Sequence, residues 1–92
     1  MKEDLSRLIR QALDSLSAAG KLPPDSQPDI QIDRTRDKKH GDLASNIALT
    51  LAKAAGRPPR DLAADICSAL PDSGLVARTE IAGPGFINFF LT

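Results

Sequence analysis

The sequence predicts an α+β fold in which a small antiparallel sheet of three to four strands is covered on one face by three helices. Two observations carry this expectation. Apolar residues recur at helical spacing in three separate stretches, while runs of β-forming residues lie before the second stretch and after the third. Proline or glycine punctuates the junctions between them. Helices grouped in this way pack on one side of an antiparallel sheet and leave its other side partly open.

Residues 3–19 form the first expected helix. Leu5, Leu8, Ile9, Ala12, Leu13 and Leu16 fall on one stripe, and Glu3 and Asp4 occupy the first turn, where the helix dipole favours acids. Gly20 suits the left-handed residue that follows a helix, and Pro23-Pro24 prevent continuation. Lys21–Pro28 then reads as a polar, proline-rich connector. Asp29-Ile30-Gln31-Ile32-Asp33 alternates with period two and predicts a strand that runs into the basic segment Arg34-Thr35-Arg36-Asp37-Lys38-Lys39.

Asp42 is the expected N-cap of a second helix, Leu43–Ala55, whose alanines permit close packing and which Gly56 ends. Pro59 fits the first position of a third helix, with Leu62, Ile66, Ala69 and Leu70 as its stripe and Pro71 as its stop. Leu75–Ala82 alternates weakly as a strand. Gly83-Pro84-Gly85 marks a turn, and Phe86–Leu91 is the best strand sequence in the chain.

The bulk properties narrow the function. A chain of 92 residues suits one domain, here residues 1–92, with about 60–65% of the unfolded surface buried on folding. That is little wall for a catalytic cleft. No stretch approaches a membrane span, the N-terminus lacks a secretory pattern, and the single cysteine, Cys67, excludes an intrachain disulfide and a cysteine-based zinc cluster. The expected setting is cytoplasmic, with no membrane partner. Net charge is zero, but residues 34–60 carry seven basic and two acidic side chains, while both flanks are acidic. The middle segment can face phosphates locally, or can simply be a solvated surface.

In the last strand Ile87, Phe89 and Leu91 share one face and Phe86, Asn88 and Phe90 the other. The wholly apolar set should face the helices. The opposite face then displays an amide between two aromatic rings, groups that can stack on unpaired bases and read a base edge. The alternative is that these rings pack under a loop or against a neighbouring domain. Lys38, Lys39, Arg34 and Arg36 are candidate phosphate contacts. His40 and Asp42 need no acid–base reading, and no nucleophile with a base, metal-ligand cluster or nucleotide loop is recognisable. No catalytic residues are assigned.

Two segments, Lys39-His40-Gly41-Asp42-Leu43-Ala44-Ser45-Asn46-Ile47-Ala48 and Glu80-Ile81-Ala82-Gly83-Pro84-Gly85-Phe86-Ile87-Asn88-Phe89, resemble the N-terminal additional domain of arginyl-tRNA synthetases. Their order, their separation and the proline-started helix between them match as well, so the resemblance spans essentially the whole chain. It implies an α+β module that touches the D-loop of tRNA(Arg), with Phe86 and Asn88 at the base-contacting positions. The His-Gly-Asp segment would be structural. Phe90 and Asn46 receive no role. By the same resemblance, this chain is one domain of a longer enzyme and has no cofactor of its own. ATP and arginine belong to the catalytic domain of the same protein, its partner in the parent arginine–tRNA ligase. The competing function is a structural module that packs between domains without touching RNA.

Overall fold

In a computed structural model that describes residues 2–23 and 29–92, helix α1 spans Lys2–Ala18 and turns its stripe of Leu5, Ile9, Ala12, Leu13 and Leu16 into the core. Gly20 adopts φ +80°, and the Lys21 N–H returns to the Leu16 carbonyl at 2.8 Å, which closes the helix as the sequence suggests. Leu22, in the expected polar connector, is buried and anchors the chain as it leaves the helix. The rest of that connector, Pro24–Pro28, lies outside the described residues.

The sheet has four strands among the described residues: β1 (Ile32–Arg34), β2 (Leu43–Ser45), β3 (Val76–Ala82) and β4 (Phe86–Leu91), in the spatial order β1-β2-β4-β3 and antiparallel throughout. Helices α2 (Ile47–Ala55) and α3 (Pro59–Ala69) join the two halves of the sheet. Ile87 and Phe89 of β4 are fully buried, together with Ile47, Ala48, Leu62, Ala63 and Ile66 from the helices and Leu5 and Ile9 from α1. One hydrophobic core therefore lies between the helices and one face of the sheet.

The fourth strand corrects the expected second helix. Residues 43–45 are β2, and the helix begins only at Ile47. The burial of Leu43 and Ser45 on either side of the half-buried Ala44 has strand period, and Leu43, Ala44 and Ser45 pair with Phe89, Asn88 and Ile87. Three residues are too few for that alternation to stand out beside an alanine-rich helix. The expected N-cap role of Asp42 also fails, because Asp42 lies before the strand. Ser45 serves the helix start: its Oγ accepts the Ile47 N–H at 3.3 Å and donates to the Gln31 carbonyl at 2.7 Å. A buried hydroxyl on β2 thus ties the residue that leads into β1 to the first residue of α2.

In β3, a register shift between Val76 and Arg78 places a bulge at Ala77, which explains the weak alternation read from the sequence. Near the helix ends, Arg57 Nε meets Asp65 Oδ2 at 2.8 Å, with Lys21 Nζ 3.8 Å from the other carboxylate oxygen. This cluster joins the residues after α1 and α2 to α3.

A candidate nucleic-acid interface on the open face of the sheet

Strand β4 lies inside the sheet, paired on both sides, so the side chains on its open face are held by two neighbours. Across the sheet, Asp33, Ala44, Asn88 and Glu80 stand in one row. Phe86 is opposite Ala82, and Phe90 is opposite Arg78. Residues two apart on a strand share a face at about 7 Å spacing, so Phe86, Asn88 and Phe90 form a line along the strand, with Ala82 beside Phe86 and Ala44 and Glu80 beside Asn88.

Phe86 is 41% exposed, the one large hydrophobic residue left open to this degree among those described. Its ring lies over the turn, with Cδ2 3.6 Å from the place a Gly83 Cβ would take. The turn is itself fixed to the start of α3. At Gly85, φ +145°, a Cβ would come within 2.8 Å of Pro59 Cβ, and Arg60 Nη1 donates to the Gly83 carbonyl at 2.5 Å. The glycine run is therefore a close contact between a hairpin and a helix, and it holds Phe86 at the sheet's end. Arg60 was not among the residues singled out from the sequence.

Asn88 is only 6% exposed although it is on the open face. Phe86 and Phe90 flank it along the strand, and Ala44 and Glu80 flank it across the sheet. Among the described residues its side-chain amide has no hydrogen-bond partner. An amide between two aromatic residues, with donor and acceptor unused among the described residues, can receive a polar edge from outside.

Phe90 is half-buried, and the Arg78 guanidinium carbon stands 3.8 Å from its ring centroid. Arg78 Nη1 is 2.5 Å from Glu80 Oε1.

The basic loop occupies the opposite end of β4. Lys38–His40 form a single 3-10 turn in which Asp37 Oδ1 accepts the Lys39 N–H at 3.0 Å. Thr35 Oγ1 donates to the Gly41 carbonyl at 2.5 Å. Gly41, at φ +86°, lies against β4 so closely that a Cβ would be 2.7 Å from the Phe89 carbonyl oxygen. Asp42 accepts the Leu91 N–H on Oδ2 at 2.8 Å and donates its own N–H to the Phe89 carbonyl at 2.9 Å. The His-Gly-Asp segment is thus a clamp that continues the β2–β4 ladder.

Arg34 and Lys38 line an open groove of about 840 Å³ with Lys2, Glu3, Asp42 and Leu91, while Arg36 and Lys39 are exposed outside it. The structure brings Phe86 and Asn88 together. It sets the basic residues apart from Phe86, by the roughly 17 Å that a five-residue step along a strand covers.

The model of the arginyl tRNA synthetase N terminal domain family matches residues 3–91. The chain belongs to that family. It is similar to the arginine–tRNA ligase of Thioalkalivibrio sulfidiphilus, 60% identical over 91 residues, which is 99% of this chain and 16% of the relative. The ligase of Alcanivorax borkumensis is 61% identical over 90 residues, covering 98% and 15%. The chain therefore spans about a sixth of the length of these relatives. The Thermus thermophilus arginyl-tRNA synthetase superposes with a TM-score of 0.74 at 26% identity, over all of this chain and 14% of that one. The Plasmodium falciparum arginyl-tRNA synthetase shares the fold, with a TM-score of 0.78 at 15% identity, over 98% of this chain and 16% of that one. No helix among the described residues is long and apolar enough to cross a membrane.

Proposed function

We propose that this chain is the tRNA-contacting domain at the N-terminus of a longer arginyl-tRNA synthetase and that its open sheet face reads the D-loop of tRNA(Arg). The observation that carries this reading is the Phe86–Asn88 pair, an exposed ring beside a largely buried Asn whose amide has no hydrogen-bond partner among the described residues. Phe86 stacks on an unpaired base, and Asn88 bonds to a base edge through its carbonyl and amino groups. The base stands over Asn88, whose low exposure limits competition from water. Lys38, Lys39 and Arg36, at the far end of β4, meet phosphates of the same RNA and supply salt-dependent affinity without sequence information. ATP and arginine bind the catalytic domain of the parent enzyme, and this domain helps to orient the tRNA for aminoacylation there.

The test is an NMR titration of the labelled chain with tRNA(Arg), repeated with a transcript altered in the D-loop. Amide shifts at Phe86 and Asn88 that disappear with the altered loop are the expected result. No shifts at low salt would remove the RNA-reading role and leave this face to packing between domains.

A further inference from the structure

We propose that Arg78, stacked on Phe90, forms a second base platform beside the Phe86–Asn88 reader, so that the open face takes two neighbouring unpaired nucleotides of one RNA loop. The inference rests on the RNA-reading role of that face. Arg78 and Phe90 are directly opposed across β3 and β4, and the guanidinium carbon is 3.8 Å from the ring centroid. One side of the guanidinium plane is therefore covered by the ring. The Arg78 side chain as a whole is 58% exposed, so it is within reach of a ligand from solvent.

Glu80 Oε1, 2.5 Å from Arg78 Nη1, fixes the rotation of the plane from the next open-face position of β3. A guanidinium held flat by a ring on one side and a carboxylate at its edge is pre-organised for a base to stack on its free side. Its charge also offsets that of Glu80, which together with Asp33 at the far edge would otherwise repel a nucleic acid from the Asn88 row. Phe90 lies four residues from Phe86 on the same face, with Asn88 midway, so the two platforms flank one amide.

Binding of a tRNA(Arg) transcript to the 92-residue chain separates the possibilities, with the amide spectrum of each variant confirming its fold. Phe86→Ala and Arg78→Ala should each weaken binding about tenfold, the size expected for one lost stacked base. Arg78→Lys keeps the charge and loses the plane, so it should weaken binding as Arg78→Ala does. Wild-type affinity in Arg78→Lys, or in Arg78→Ala while Phe86→Ala is impaired, would overturn the platform and leave the base reader intact. Unchanged affinity in Phe86→Ala would overturn the base reader, and the second platform with it.

Discussion

The two faces of β4 are built from the same kind of residue and do opposite things. Ile87 and Phe89 are completely buried among helix side chains, whereas Phe86, next along the strand, is 41% exposed and Asn88 stands beneath it. Phenylalanine alone does not distinguish the faces. What differs is the cover: three helices pack on one side, and among the described residues the other meets its own neighbours in the sheet. The core face fixes where the strand lies, and the open face is then free to hold groups that folding does not require.

The largest expected effect breaks the core face. Phe89→Ala should cost about 3–5 kcal/mol, the range for deleting a buried ring and leaving a cavity. In a domain of this size that is a large fraction of the total stability. Phe86→Ala should cost under about 1 kcal/mol because a partly exposed ring has little cover to lose. Paired urea unfolding curves measure both. Comparable losses would show that the two faces are not distinct in the way proposed.

The clamp at the strand's end comes next. Gly41→Ala should cost about 1–3 kcal/mol or more, because φ +86° disfavours any side chain and the new methyl would meet the Phe89 carbonyl at 2.7 Å. Thermal unfolding reads it. A stability equal to wild type would mean that the loop and β4 part easily, and that the position of Lys38 is not set by the sheet.

The sequence revealed α1, α3 and β4 because each has many residues in one period and a clear stop. It also separated the faces of β4, since Ile87, Phe89 and Leu91 make one face without a polar residue; Ile87 and Phe89 are buried there, and Leu91 at the strand's end is half-buried. It did not reveal β2, where three residues give one and a half periods beside a helix rich in alanine. The N-cap reading of Asp42 failed for the same reason: an aspartate before an apolar run looks like a cap until the run proves to be a strand. The contribution of Arg60 could not be read either, since its bond to the Gly83 carbonyl joins residues 23 apart in the chain. Local pattern carries the elements, whereas the contacts that aim Phe86 exist only after the hairpin meets α3.

A smaller effect sharpens the contrast on the open face. Asn88→Ala removes an amide that makes no hydrogen bond among the described residues, so stability should change by less than about 1 kcal/mol. The D-loop-dependent shifts in the NMR titration should vanish in the same variant. A loss of several kcal/mol in its unfolding curve would show that the amide serves the fold.

The smallest expected effect concerns the one thiol, beside the core. Cys67 on α3 packs near Thr79 of β3, and burial pushes its pKa above the ordinary 9.0, with the Thr79 hydrogen bond opposing only in part. The folded state therefore keeps its proton at a pH where the unfolded chain has begun to lose it. Below the ordinary thiol value both states are protonated, and stability is unaffected by this group. Above it the unfolded state binds fewer protons, so stability falls as pH rises. Urea unfolding of wild type and Cys67→Ala should accordingly converge or cross between neutral pH and about pH 10, with the wild type losing more. At neutral pH the thiol should also react slowly with alkylating reagents, because little thiolate is present. Equal pH slopes in the two proteins would mean that α3 and β3 admit water at Cys67. The helix-covered side of the sheet would then be less tightly closed there than beneath Ile87 and Phe89.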